Sequence, residues 1–357
     1  ANGGFDVIIG NPPWKEYSSA KKTYRVINSS IETCGNLYAI CSERALSLLQ
    51  PTGRFSFIVQ LPFVSSSRMA PMRNLLTEQT DYLCTLPCDD RPGKLFDGLQ
   101  HCRSTILVTR KLPGHQCDAF TSRYNRWASE RRTDLFYSLS FTGFEVTDSS
   151  GQFPKLAAPL HRDCILTMRA ASAQTLAAAM STRVTSQFIF YQEATQYWVK
   201  GTVGLPYYAK NGVVSPPAHG RYLYFDRESA AFAACALLNS STFYVHFITF
   251  SDCFHLSHTV AGSVHIPADL LEDDDLVGAG ERLMADLRQN AERKSINTRD
   301  GDEIAYDEFF ASRSKPIIDQ IDEVLAAHYG FTEEELDFII NYDIKYRMGD
   351  ALEMQDD

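Results

Sequence analysis

Nowhere in these 357 residues is there an apolar run long enough to cross a bilayer, which takes about 20 consecutive residues. The longest runs, at Phe55–Val59 and Ala230–Leu238, are short or interrupted. The opening residues, Ala-Asn-Gly-Gly-Phe-Asp, carry neither the basic nor the apolar region of a signal peptide, and begin without a methionine at what reads as the edge of a buried strand. A cytoplasmic protein with no membrane partner is expected. A disulfide framework is not expected either, because the nine cysteines are odd in number and scattered along the chain, the pattern of reduced thiols. No Ser-His-Asp nucleophile motif, phosphate-binding P-loop or nuclease carboxylate–lysine cluster is present, so hydrolysis and strand cleavage are not expected of these residues. Internal repeats and low-complexity linkers are also lacking.

Hydrophobic residues make up 44% and aromatics 12%, enough to build cores, and the length suggests about two domains. The net charge of −10 speaks against a polyanionic partner until its distribution is read. Residues 268–357 hold 25 acids and 9 bases, whereas residues 1–267 hold 19 acids and 25 bases. A mildly basic body with an acidic C-terminal segment remains compatible with a phosphate backbone.

Phe5-Asp6-Val7-Ile8-Ile9-Gly10 reads as a buried strand closed by Asn-Pro-Pro. Helical spacing over Tyr38–Leu49 ends at Pro51-Thr52-Gly53, and Arg54–Val59 follows as a second strand. A helix over Met69–Glu78 and a third strand at Ser104–Thr109 complete a strand–helix–strand–helix–strand order, which predicts a parallel, doubly wound α/β sheet, here the C-terminal part of one. Residues 113–170 are weakly patterned and read as a connecting region. From Thr185 to Ile266, Tyr, Phe and Thr punctuated by Gly and Pro predict short strands and loops around a helix at Ser229–Asn239. The acidic remainder reads as helices at Leu276–Ser295, Lys315–His328 and Glu333–Tyr342. The expected division is 1–112, 113–170, an α+β domain over 171–290 and a helical tail over 291–357.

Asn11-Pro12-Pro13-Trp14 directly follows the first strand. An Asn side-chain oxygen and the carbonyl of the first proline supply two acceptors for the hydrogens of an exocyclic amine, raising its nucleophilicity without a general base. The prolines fix both acceptors in advance. An aromatic in fourth place can stack on a base rotated out of a duplex, worth about 1–3 kcal/mol. Strand ends of doubly wound sheets are where such sites sit. The bland reading of the same residues is a strand-ending Pro-Pro turn with a half-buried Trp.

Phe5–Trp14 resembles the catalytic strand and loop of the gamma-type adenine-N6 DNA methyltransferases of type II restriction–modification systems. Asn36–Arg54 is similar to the helix and turn that follow in that family, and Phe55–Pro62 to its next strand. Leu95-Phe96-Asp97-Gly98 with Ser104–Val108 resembles the late motif whose aromatic lies near the flipped adenine, and Glu335–Arg347 the C-terminal signature of larger members. The resemblance implies a Rossmann-like methyltransferase sheet followed by a target-recognition domain. It also implies S-adenosylmethionine as cofactor, double-stranded DNA as partner and a prokaryotic, nucleoid-associated setting. In the site, Asn11 and Pro12 would polarise the amine, Pro13 would hold the loop, Trp14 and Phe96 would bracket the base, and Lys15, Lys21, Lys22 and Arg25 would meet phosphates. The family's glycine-rich turn and ribose-binding acid precede the catalytic loop, and neither occurs here. Cys41 stands where members often have a cofactor-contacting aromatic. Cofactor binding would then rest on an upstream methyltransferase half, in the same or a second polypeptide, and a restriction subunit is a further expected partner. The alternative is a DNA-specificity module or inactive remnant; a third reading is methylation of a protein glutamine amide.

Arg103, Arg110, Lys111, Arg123, Arg126, Arg131 and Arg132, interleaved with Phe120, Tyr124 and Trp127, form a second basic stretch suited either to DNA or to internal pairing. Cys84, Cys88, His101 and Cys102 have zinc-ligand chemistry but unsuitable spacing, and buried thiols are expected instead of a metal. Tyr191, Tyr197, Trp198, Tyr207, Tyr208, Lys210, Arg221, Tyr222 and Tyr224 fit base contacts or a β-rich core. Ser251–His255 reads as a polar turn.

Overall fold

The computed structural model describes residues 3–21, 23, 25–99, 102–146, 152–195 and 197–347. The chain divides into two compact units, Ala1–Arg162 and Asp163–Asp357.

Phe5–Gly10 forms β1, and the first unit adds β2 (Leu49–Gln60), β3 (Thr80–Cys88), β4 (Ser104–Lys111), β5 (Asp118–Thr121) and β6 (Thr142–Phe144). They make one sheet in the order β1-β2-β4-β3-β5-β6. The sheet is mixed, which corrects the parallel reading. β1 pairs with β2 and β3 with β5 in parallel, whereas β4 lies antiparallel to both its neighbours and β6 antiparallel to β5. The cause is connectivity. Helices Leu37–Leu48 and Ala70–Gln79 provide the crossovers that parallel neighbours need, but among the described residues no α-helix separates β3 from β4, so the chain returns beside itself. β3 was not legible as a strand because it is buried on both faces beyond Tyr82 and shows no alternation. β2 starts at Leu49 and runs through Pro51-Thr52-Gly53, so the expected helix stop is instead the start of the strand, opposite an irregularity between Phe5 and Val7 of β1. β5 and β6 fall within the stretch read as connecting, yet belong to the sheet.

The two sheet faces differ. The register aligns Ile8, Phe55, Thr109, Leu83 and Ala119 across the sheet, and Phe55, Thr109, Leu83 and Ala119 are buried. On the opposite face Ile9 lines up with Ser56, Val108 and Cys84, and Val7 with Arg54, Arg110 and Tyr82. There Val7 is 60% and Ile9 77% exposed, with Tyr82 and Val108 also open. Among the described residues, β1's outer edge has no strand partner.

The second unit holds an antiparallel sheet, β11-β7-β8, from β7 (Gln187–Gln192), β8 (Thr202–Val203) and β11 (Gly220–Phe225), and a four-stranded sheet, β10-β9-β13-β12. The latter is built from β9 (Tyr208–Lys210), β10 (Val213–Val214), β12 (Glu292–Asn297) and β13 (Glu303–Glu308). The tail is therefore not purely helical. The helix expected over Leu276–Ser295 is Asp274–Gln289, and the next residues form a hairpin turned at Gly301, whose φ of 87° favours glycine. Its charges pair across the hairpin, Arg293 with Asp307 and Lys294 with Glu308. Helices Glu228–Asn239 and Ser241–Phe250 are almost wholly buried. No single described helix is long and apolar enough to span a membrane; these two pass only together, bent by 65°.

Asp322, fully buried on helix Lys315–Tyr329, accepts hydrogen bonds from the amides of Ser241 (3.0 Å) and Thr242 (2.9 Å) and from the Thr242 hydroxyl (2.9 Å). Buried Arg347 donates to Ser241 Oγ at 2.6 Å, and Tyr244 Oη donates to Asp343 at 3.2 Å. Asp322 is thus the anion at the N-terminus of helix Ser241–Phe250, where negative charge is favoured, and Asp343 and Arg347 join the same buried cluster.

Candidate active site

Because β1, β2, β3 and β5 run the same way, the segments after Gly10, Gln60, Cys88 and Thr121 all leave the first sheet at one edge, the carboxyl edge. Asn11 is exposed there, Pro12 buried, Pro13 exposed and Trp14 half-buried. The Trp14 indole N–H donates to the carbonyl of Ile58 on β2 at 3.1 Å, which fixes the ring. Phe96, from the loop between β3 and β4, meets Trp14 edge to face, with centroids 6.0 Å apart and planes at 63°. Two aromatics 82 positions apart, both singled out from sequence, therefore share one site.

The loop after Trp14 is pinned. The Leu37 amide donates to the Lys15 carbonyl at 2.9 Å and the Tyr17 amide to the Gly35 carbonyl at 2.8 Å, while Glu16 and Asn36 form an isolated bridge. Arg68 grips the Glu16 carboxylate with both terminal nitrogens, at 2.5 and 3.3 Å. Asn36, nearly buried, caps helix Leu37–Leu48 through its side-chain oxygen and donates to Glu16 (3.4 Å) and Gln60 (3.3 Å). Gln60 in turn donates to Cys102 at 3.4 Å. Gly35 makes this possible: its φ is +64°, and a Cβ there would stand 1.8 Å from an Arg68 nitrogen. Sequence reading gave Glu16, Gln60 and Arg68 no role; Gly35-Asn36 ahead of a helix was the one local signal.

Of the basic residues named from sequence, Lys15 and Arg25 are exposed, and Lys21 pairs with Glu32 at 3.0 Å. Lys22 lies outside the described residues, as does His101. The second basic stretch is largely committed internally. Arg103 and Arg126 face Asp89, Arg110 pairs with Asp81 and Arg132 with Asp97, and Lys111 donates to the carbonyls of Leu46 and Leu49. Burial raises the Asp90 pKa, against the pull of Arg103. Burial also pushes the Cys84 thiol up to about 11 and Cys88 higher, and no group of three or more possible ligands occurs among the described residues.

In the second unit, Tyr191, Tyr197 and Trp198 are core residues, Trp198 donating to the carbonyl of Asn239 at 3.1 Å. Tyr222 and Tyr224 stack on each other, Arg221 pairs with Glu193 and Lys210 with Asp302. Asp252 accepts from the amides of Phe254 and His255, so Ser251–His255 is a self-bonded turn.

Residues 1–84 match the family model of the Eco57I restriction-modification methylase. No curated protein sequence matches the chain. Among solved structures, the Type IIL restriction-modification enzyme MmeI in complex with DNA shares the fold, with a TM-score of 0.51 and 9% identity over 96% of this chain and 57% of that one. A nuclease-deletion mutant of the Type ISP restriction-modification enzyme LlaGI, in complex with a DNA substrate mimic, matches with TM-score 0.43 and 9% identity, over 85% of this chain and 46% of that one. The ATP-dependent Type ISP enzyme LlaBIII bound to DNA matches with TM-score 0.41 and 12% identity, over 79% and 29%. The chain thus spans between 29% and 57% of the length of these three.

Proposed function

We propose that the first unit is the adenine-binding part of an S-adenosylmethionine-dependent DNA adenine-N6 methyltransferase of a restriction–modification system. The observation that carries the reading is the exposed Asn11, fixed between a strand end and two prolines, beside the Trp14–Phe96 pair. A flipped adenine seated on Trp14 presents its amine to the Asn11 side-chain oxygen and the Pro12 carbonyl. Both accept hydrogens of the amine and turn its lone pair outward; the pinned loop spares the site reorganisation during transfer. Lys15 and Arg25 are proposed to meet phosphates, and residues 171–290 to choose the sequence.

S-adenosylmethionine supplies the electrophilic methyl group, yet the described residues do not fit a pocket for it. At this edge Asp89 and Asp90 are buried beside Arg103, and Glu16 and the exposed Asp97 pair with Arg68 and Arg132. We place the donor on a segment seated against β1's free edge and open face, from upstream sequence or a second polypeptide. This open face also supports the alternative of a DNA-specificity module that depends on a partner.

The test is methyl transfer by the whole protein from labelled donor to duplex DNA and, separately, to protein substrates. Label in DNA, lost by at least about a hundredfold in Asn11→Ala, supports the reading; label in protein, or none in either, contradicts it.

A further inference from the structure

Residues 122–141 join β5 to β6 and leave the sheet at the same carboxyl edge as Asn11, since Thr121 ends β5 opposite Thr142 of β6. The loop is firmly rooted. Trp127 and Leu135 pack with Leu86 and Cys88, and Arg132 donates to Asp97 at 3.0 Å, next in sequence to the Phe96 that meets Trp14. After these anchors a 3-10 turn, Leu135–Tyr137, the second in this loop after Ser129–Arg131, holds Leu135 inward and leaves Phe136 and Tyr137 53% and 91% exposed. Burying one phenylalanine is worth about 1.5–3 kcal/mol, so two adjacent aromatics left in water on an anchored turn mark a contact surface. Exposed Glu130, Arg131 and Asp134 precede the turn, on a unit that carries 19 basic against 14 acidic residues.

We propose that Phe136 and Tyr137 form a wedge for duplex DNA, entering the base stack beside the target adenine as it rotates into the Asn11–Trp14 site. The inference rests on the adenine-site reading. A flipped base leaves its former partner unpaired and its neighbours unstacked, at a cost of a few kcal/mol. Aromatic rings inserted at the gap recover about 1–3 kcal/mol per base stacked, and apolar wedges between base steps are an established way of holding a duplex open. In this arrangement the exposed Arg131, which ends the preceding 3-10 turn, meets a phosphate of the same strand. The wedge therefore acts on flipping, not on the transfer itself.

That division gives the test. The whole protein and its Phe136→Ala/Tyr137→Ala variant are assayed on a fully paired duplex and on the same duplex with an abasic site opposite the target adenine, where flipping costs little. The variant is expected to lose about 5- to 150-fold in rate on the paired duplex, the stacking energy above expressed as a ratio, and to recover most of that loss on the abasic duplex; Tyr137→Phe, which keeps the ring, stays near the parent. Equal loss on both duplexes, or no loss, overturns the wedge and leaves the adenine site standing. A parent protein that methylates neither duplex overturns the adenine site and the wedge with it.

Discussion

Arg68 reaches Glu16 across 52 positions through a gap that only glycine at position 35 leaves open. The pair is half-exposed, so its worth to folding is at most about 1 kcal/mol. Its consequence is geometric: it holds the residue two beyond Trp14. Arg68→Ala is expected to leave thermal unfolding nearly unchanged and to lower the transfer rate by up to about a hundredfold, the cost of a small misplacement at a reacting centre. Arg68→Lys should recover part of this, since a lysine cannot reproduce the two-pronged contact; a melting temperature that falls in step with the rate would make the pair merely structural. At this scale the site was half legible. Asn11 to Trp14 is a local pattern in which strand end, prolines and aromatic are contiguous, and Phe96 came from resemblance. Glu16, Gln60 and Arg68 carry no local signature, because what distinguishes them is contact between distant segments.

Among elements, helix Ser241–Phe250 depends on a carboxylate from another helix. Asp322 satisfies two of its amides and one hydroxyl, in a buried cluster that also holds Arg347. Asp322→Ala leaves these donors unpaired and removes one of the acids around buried Arg347; a loss of about 3–5 kcal/mol is expected in denaturant unfolding of the second unit. A change below about 1 kcal/mol would show that the cluster relaxes at no cost. Helices Leu37–Leu48, Ala70–Gln79 and Glu228–Asn239 were legible within a residue or two, because apolar spacing and caps are local. β3 was missed for want of alternation, and β12 because its charged run Glu292-Arg293-Lys294 continues the polar pattern of the helix before it. The direction of β4 could not be read from its own residues, since it follows from the missing crossover helix.

For the molecule as a whole, a buried histidine in each unit contributes to the response to acid. Burial, chiefly, lowers the pKa values of His161 and His246 from 6.5 to about 3. The unfolded chain takes up a proton on each near 6.5 while the native chain does not, so their contribution to stability is complete above that pH and falls as pH drops toward 3, at about 1.4 kcal/mol per unit for each. His246→Gln should flatten this slope in the second unit; an unchanged slope would mean other groups govern it. The open face of β1 makes a second prediction. Val7→Asp with Ile9→Asp is expected to improve the solubility of the chain alone and to abolish capture of an upstream methyltransferase half in co-purification, whereas capture by the doubly substituted chain would place that half elsewhere.

The central claim is that Asn11 and Pro12 prepare the amine of a flipped adenine for methylation. Its most direct test is mass spectrometry of nucleosides from duplex DNA incubated with S-adenosylmethionine and the whole protein, parent against Asn11→Ala. The account predicts N6-methyldeoxyadenosine from the parent and its near-absence with Asn11→Ala. Methylation at another base, or N6-methyldeoxyadenosine undiminished in Asn11→Ala, would contradict it.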